Sequence, residues 1–409
     1  MTEVLAMGKS PAKTRWLASL RRRRRLWLEV HRWLGLVAGA FLVVIALSGS
    51  ALVYFREIDA WLNPELLVVK APQGDVAAYR PMSEIVAAAQ RATPADFRLG
   101  FAYYPRNRNE AVMFYASRRV EKGKRSTTTN VFVDPYTARV TGTRVYSDGD
   151  SILRGSLTEF LFKLHPSLLL GTIGSTIVGG LCVLFIVSIL SGLILWWPIT
   201  GKWRLGFFPK RNASPVRFNH DVHKLVGFYA LPVLLAVMLS GVYLNLRPQF
   251  RWLVEWFSPL TRMESVSASS RPNADSNSID QVLDTVRQRF PDGQVYTFSL
   301  PSMGKVAFPY AVTQLVPAGC CFVGRRSILL DGDTGKILQV GNPLEGGGGD
   351  VFIQWQLPVH SGYALGELGR IMAFLSGVGC TVLYVTGFRR WLQRRRSRMR
   401  AGHRLAGDR

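Results

Sequence analysis

The chain repeats itself. Val30-His31-Arg32-Trp33-Leu34-Gly35, leading to Ser48-Gly49, returns as Val222-His223-Lys224-Leu225-Val226-Gly227, leading to Ser240-Gly241, with every landmark displaced by 192. Each half holds a second histidine, His165 and then His360, 195 apart. Each of these is followed 27 residues on by a glycine after a hydroxyl residue, in Ser191-Gly192 and Thr386-Gly387. Self-similarity at this spacing means duplication, so each half builds the same unit. A duplicated unit that keeps two histidines at the ends of apolar runs points to metal or haem ligation.

The apolar runs are Trp33–Phe55, Pro166–Gly201, Leu225–Leu246 and Ile371–Phe388. Crossing about 30 Å of hydrocarbon takes roughly 20 helical residues. The expected fold is therefore membrane α-helical, with four transmembrane helices in two internal repeats and two external α+β domains. The boundaries read as a basic tail 1–32, spans 33–56 and 174–198 around an external domain 57–173, and a loop 199–221. Spans 222–247 and 368–389 then enclose a second external domain 248–367, and a basic tail 390–409 closes the chain.

The net charge of +24 could suggest nucleic acid, but its location decides otherwise. Residues 1–32, 199–224 and 389–409 hold 24 Lys/Arg against 4 Asp/Glu, leaving 27 against 23 elsewhere. These basic segments flank the spans on alternate sides, as the positive-inside rule requires. The expected location is the bacterial inner membrane, multi-pass, with both termini cytoplasmic. Attraction to the lipid bilayer accounts for Arg21–Arg25 and Arg394–Arg396 without nucleic acid. Trp33–Phe55 exceeds the h-region of a signal peptide, and it matches an internal helix, so it reads as a retained anchor.

The external segments carry a repeated module. Pro81–Ala89 and Ser278–Val286 read as amphipathic helices. Val131–Val140, with Asp134, Pro135, Thr137 and Ala138, and Ile328–Ile337, with Asp331, Gly332, Thr334 and Gly335, read as hairpins 197 apart. Helix-then-hairpin modules ending in an Asp-x-x-Thr-Gly-like turn, between histidine-flanked spans, resemble the PepSY-associated transmembrane helix family from about His31 to Arg390. Ala138 departs from that pattern, standing where a glycine is usual. The resemblance implies PepSY-like external domains. Members of the family include iron-regulated inner-membrane proteins, among them haem-containing siderophore reductases.

The histidines sort by side. His31 and His223 precede the odd-numbered spans and belong to the cytoplasmic face, whereas His165 and His360 precede the even-numbered spans and belong to the outer face. From His31 to Gly49 a helix climbs about 27 Å, which excludes a ligand pair of one inner and one outer histidine. Two same-side pairs suit two haems, each held by one imidazole from each half. Zinc is the competing metal, yet it takes four ligands and the boundaries offer little Cys or carboxylate. No Cys-x-x-Cys-His occurs, so the cofactor is haem b, two per chain, with His31, His223, His165 and His360 as axial ligands to the haem iron. The competing reading is four interfacial anchors.

His220 is one turn before His223, but the repeat pairs it with Leu28, so it is expected to bond a propionate or a neighbouring group rather than the iron. His403 belongs to the polar tail. Arg32, Lys224, Arg217 and Arg370 are candidate propionate partners. Cys182 and Cys380 read as small buried residues of the spans, and adjacent Cys320-Cys321 gives no ordinary disulfide geometry. Gly346–Gly349 reads as a hinge or linker.

Closed coordination by two histidines leaves electron transfer. No Gly-x-Gly-x-x-Gly follows a strand, so the donor is a separate cytoplasmic reductase, a soluble carrier or a quinol. The resemblance implies that the acceptor is a ferric-siderophore, making the chain a ferric-siderophore reductase, an oxidoreductase of iron uptake. The alternative is a non-enzymatic PepSY-type accessory or regulatory protein binding peptides or a protease. A transporter is a third reading, against which stands the absence of intramembrane charge.

Overall fold

Pro232 divides what the sequence suggests is one span. In the computed structural model, helix α8 (Pro215–Tyr229) and helix α9 (Leu231–Asn245) meet at a 60° bend instead of running continuously over 222–247. Proline at the second position of α9 has no amide proton for the carbonyl one turn back, and its ring crowds that carbonyl. The structure describes residues 11–72, 79–118, 126–149, 154–197, 203–261, 278–300, 309–318, 321–342 and 345–407. Among these, three helices are long and apolar enough to cross a membrane, in Arg22–Val53, Gly171–Trp196 and Tyr363–Arg400, and the bent pair would make a fourth.

The first of these belongs to α1 (Pro11–Val53), the second is α6 (Gly171–Trp196) and the third is dominated by α13 (Gly366–Gly407). They pack as a ring in which α1 touches α6 and α13, α6 touches α9, and α13 touches α8. Small residues allow the close approach. Gly39 of α1 lies against the Tyr384 ring, Ser50 donates to the Phe374 carbonyl at 2.9 Å, and Gly179 of α6 receives Leu246.

Between the long helices each half builds a helix and a four-stranded meander. The first follows α2 (Phe55–Leu62) and α3 (Pro64–Leu67), and comprises α4 (Met82–Ala92), β1 (Phe97–Tyr103), β2 (Val112–Arg118), β3 (Thr128–Val133) and β4 (Val140–Ser147). The second follows α7 (Arg204–Phe207) and α10 (Arg247–Glu255). It comprises α11 (Ile279–Arg289), β5 (Gln294–Ser299), β6 (Tyr310–Ala318), β7 (Cys321–Leu330) and β8 (Ile337–Gly341). The two expected α+β domains are joined. Antiparallel pairing of Phe101 with Ser299 and of Ala102 with Phe298 fuses the meanders into one eight-stranded sheet, ordered β4-β3-β2-β1-β5-β6-β7-β8.

Both helices cover the same face of that sheet and share one core. Ile85 and Ala89 of α4, Leu283 and Val286 of α11, and Phe114, Phe298, Val312 and Ile328 of the strands are all fully buried there. Each large apolar side chain buried in this way contributes roughly 1.5–3 kcal/mol. Phe114 and Phe298 meet edge to face across the seam, with centroids 6.1 Å apart. Asp280 on α11 accepts from the amides of Met82 and Ser83 at 2.5 and 3.2 Å, so one half caps the other half's helix.

The two hairpin turns fold alike. Asp134 accepts from Tyr136 N and Thr137 Oγ1, both at 2.9 Å, and Asp331 accepts from the amides of Asp333 and Thr334. The turn then needs a left-handed residue. Gly335 supplies it at φ 66°, whereas Ala138 adopts it at φ 52° against its own Cβ.

Two short helices carry His165 and His360. α5 (Leu157–Ser167) is separated from α6 by Leu168–Leu170, with Leu168 and Leu169 at φ 49° and 64°, and α12 (Gly348–Ser361) is separated from α13 by left-handed Gly362 and the 3-10 turn Tyr363–Leu365. Of the Gly346–Gly349 run, Gly346 precedes α12, Gly347 caps it, and Gly348 and Gly349 form its first turn. The Gly347 amide donates to Asp350 Oδ2 at 3.1 Å, and Asp350 also accepts from Thr261 N.

Candidate cofactor site

His31 on α1 and His223 on α8 face each other, with ring centroids 6.2 Å apart and planes at 82°. His165 on α5 and His360 on α12 do the same at 5.9 Å and 54°. Each pair draws one ring from each half, and along α1 the His31 pair lies near the middle of the helix while the His165 pair lies by Gly49 close to its C-terminal end, about 27 Å apart along the axis.

All four rings are held by one device. His31 Nδ1–H donates to the carbonyl of Ser188 at 2.9 Å, His165 to Ile45 at 2.8 Å, His223 to Leu383 at 3.1 Å and His360 to Val237 at 3.0 Å. Three residues after each of those carbonyls stands the hydroxyl of the repeat, Ser191, Ser48, Thr386 or Ser240. Ser191, Thr386 and Ser240 approach Nδ1 at 3.1, 2.9 and 3.1 Å, and each hydroxyl donates its own proton to its helix backbone. Ser48 bonds the carbonyls of Val44 and Ile45 in the same way.

Next comes the glycine. A Cβ on Gly192 would lie 3.1 Å from His31 Cε1, one on Gly49 2.6 Å from His165, one on Gly387 3.3 Å from His223 and one on Gly241 3.5 Å from His360. Within each half, therefore, a hydroxyl-glycine notch on one helix seats a histidine of another: α6 seats His31 of α1 and α1 seats His165 of α5, and likewise α13 seats His223 of α8 and α9 seats His360 of α12. In the sequence these dipeptides read only as landmarks of the repeat. Their constant offset of 27 residues from His165 and His360 was the signal of a role.

An Nδ1–H that donates to a carbonyl fixes the tautomer, leaving Nε2 with its lone pair free. An iron about 2 Å from each of two imidazole nitrogens, themselves roughly 1 Å from their ring centres, sets the centroids about 6 Å apart. Both pairs have that spacing. Among the described residues no group of three or more His, Cys, Asp or Glu is arranged to hold a metal. Two imidazoles per site thus fit an iron whose remaining ligands come with a macrocycle, and do not fit tetrahedral zinc.

The surrounding cations are mostly engaged. Arg32 bonds Glu29 and lies 5.3 Å from the Trp33 ring centre. Arg217 and Lys224 approach Asp221 at 3.2 and 3.4 Å, and Arg370 bonds the Val53 carbonyl, Glu57 and Glu367. His220 Nδ1 lies 3.5 Å from Asp221 Oδ1 without hydrogen-bond geometry. Cys182 and Cys380 are buried thiols within the bundle. Cys320 and the His403 side chain lie outside the described residues.

The profile of the PepSY-associated TM region matches residues 28–394, and the chain belongs to that family of membrane proteins. Among curated proteins no relative matches.

Proposed function

We propose that the chain is a di-haem b-type inner-membrane reductase that passes electrons outward to a ferric-siderophore. The observation that carries this reading is the pair of facing imidazole couples, each ring locked by Nδ1 and spaced for one iron. In this reading the broken helix α8–α9 is the third of four spans. Both termini and the 199–221 loop are cytoplasmic because the basic residues concentrate there. The sheet then stands outside the membrane. His31 and His223 hold the inner group, and His165 and His360 hold the outer one.

When bound, haem supplies one-electron chemistry at an iron with no open coordination position. The chain's own contribution is geometric. The notches fix ring position and tautomer, the apolar bundle excludes water, and the donated Nδ1 protons set the basicity of each ligand. The donor is a cytoplasmic reductase or a quinol, because the chain carries no Gly-x-Gly-x-x-Gly after a strand. One-electron reduction of the acceptor loosens its iron, since ferrous iron is the softer ion for oxygen donors.

The test is an absorbance spectrum of detergent-purified protein with pyridine-haemochrome stoichiometry, followed by anaerobic mixing of the reduced protein with a ferric chelate and a ferrous trap. About two haems per chain, a Soret band that shifts on reduction, and trap colour in step with reoxidation are expected. A colourless protein would instead support the non-enzymatic PepSY-type accessory reading. Reporter fusions after residues 70 and 300 should score external, and those after 210 and 405 cytoplasmic.

A further inference from the structure

Between the sheet and the helices α2 and α5 lies a partly open cavity of about 950 Å³, at the upper end of the range for small-molecule sites of roughly 300–1,000 Å³. Its walls are unusual in chemistry. Tyr103, Tyr115 and Tyr146 stand on the sheet side, and Phe55 and Phe162 on the helix side. The tyrosines touch edge to face, Tyr103 to Tyr115 at 5.9 Å and Tyr115 to Tyr146 at 5.0 Å. Burial pushes the Tyr146 phenol up to about 12 and raises those of Tyr103 and Tyr115, so all three remain neutral and can donate.

Arginine supplies the charge. The carboxylates of the lining are already consumed. Asp59 is held by Arg144 at 2.6 and 2.9 Å, Glu110 by Arg106 at 2.8 and 3.2 Å, and Glu57 by Arg370 at 2.7 Å. Arg56 is different. Its guanidinium lies 4.7 Å from the Tyr103 ring centre and 5.6 Å from that of Tyr296, it reaches Glu110 only at 3.8 Å, and its Nη2 is buried with no hydrogen-bond partner. A cation in an aromatic wall whose nearby acids are otherwise engaged attracts a ligand that is both anionic and flat.

The position matters as much as the chemistry. Phe162 is one helical turn, about 5 Å, ahead of His165 on α5. Phe162 also packs edge to face on Phe55, at 5.2 Å, and Phe55 opens α2 six residues after Gly49 of the notch. The cavity floor is thus one aromatic layer from the outer histidine pair.

We infer that this cavity binds the electron acceptor, and that it is built for an anionic aromatic ferric chelate of the catecholate class. The inference rests on the reductase reading above. Three dianionic catecholates leave a ferric complex trianionic with exposed rings, whereas three hydroxamates leave it neutral and without them. In the transfer step one electron converts the ferric ion to ferrous. The reductant is the reduced cofactor at the His165–His360 pair, which loses one electron, and no bond is made or broken in the electron transfer itself.

The experiment uses full-length protein in detergent and redox-inert gallium(III) complexes, so that binding is read without electron transfer. Titration of intrinsic fluorescence should show saturable binding of the gallium tris-catecholate and at least tenfold weaker binding of a gallium trihydroxamate. Arg56→Gln, and separately Met113→Trp, which fills the cavity from β2, should each weaken catecholate binding at least tenfold. Arg118→Gln, an exposed arginine of β2 paired with Asp96 outside the cavity, should not. Unchanged binding in both cavity variants overturns the site, and equal affinity for the hydroxamate overturns the substrate class. A ferric catecholate that binds through Arg56 but fails to reoxidise reduced protein overturns the acceptor role together with the reductase reading, leaving only a chelate-binding pocket.

Discussion

On the proposed di-haem reading, with His165–His360 as the outer site and His31–His223 as the inner one, Gly49→Ala is expected to empty the outer site while leaving the inner one filled. The added Cβ would stand 2.6 Å from His165 Cε1 and 3.0 Å from Nδ1, against an ordinary carbon contact of about 3.5–4.0 Å. The α1 backbone is clamped by α13 and α5, so the imidazole is what moves, by roughly 1 Å. That displacement stretches the 2.8 Å bond to the Ile45 carbonyl out of range, at a net cost of about 1 kcal/mol. Residual overpacking adds about 1–3 kcal/mol. Together these weaken the outer site by about 2–4 kcal/mol, or roughly thirty- to several-hundred-fold. The same substitution at Gly241, opposite His360, meets that ring only at 3.5 Å and should be far milder, its tightest contact being Cys182 Sγ at 3.1 Å. Pyridine-haemochrome stoichiometry should therefore fall to about one per chain in Gly49→Ala and stay near two in Gly241→Ala. Two haems with an unaltered low-spin spectrum in Gly49→Ala, or equal losses at both glycines, would refute the notch as the device that positions the ring.

Ser191→Ala and Thr386→Val remove only the hydroxyl beside Nδ1 and leave its carbonyl acceptor. The inner midpoint potential should shift by an amount equivalent to on the order of 1 kcal/mol with stoichiometry unchanged, read by redox titration. Ala138→Gly relieves a left-handed alanine and should stabilise the sheet domain by about 1 kcal/mol, raising its thermal midpoint. The doubly bonded Arg326 guanidinium holds the Asp292 carboxyl below its ordinary range. A depressed folded-state value gives stability that is complete above the ordinary carboxylate range and lost as pH falls through the folded value. Melts of the sheet domain should thus weaken on acidification, and Asp292→Asn should flatten that dependence below neutral pH.

The juxtaposition of His31 with His223 and of His165 with His360 is legible in the sequence because duplication ties equivalent positions to equivalent depths. Hairpin turns are legible because aspartate, threonine and a left-handed residue act over six consecutive positions. Three features escape the one-dimensional reading for physical reasons. The seam between β1 and β5 joins residues nearly two hundred positions apart, and nothing local to either strand distinguishes a paired edge from a free one. The bend before Leu231 follows from a proline inside a run whose hydropathy is otherwise uninterrupted. The arginine-tyrosine cavity is assembled from α2, three strands and α5, each contributing residues that look like ordinary surface in isolation.

The seam also says something about descent. With the displacement of 197 that relates the two turns, Ser299 is the counterpart of Ala102 and Phe298 that of Phe101. The pairs Phe101–Ser299 and Ala102–Phe298 therefore exchange when the halves are swapped. This is the signature of an isologous two-fold contact, the kind made between identical subunits. A half-length forebear carrying one such unit would possess both imidazole types and both notches, yet neither couple could close within a single copy. Self-association would come first and tandem fusion later. Divergence after such a fusion would leave glycine in one half and alanine in the other at the same left-handed position, as Gly335 and Ala138 stand.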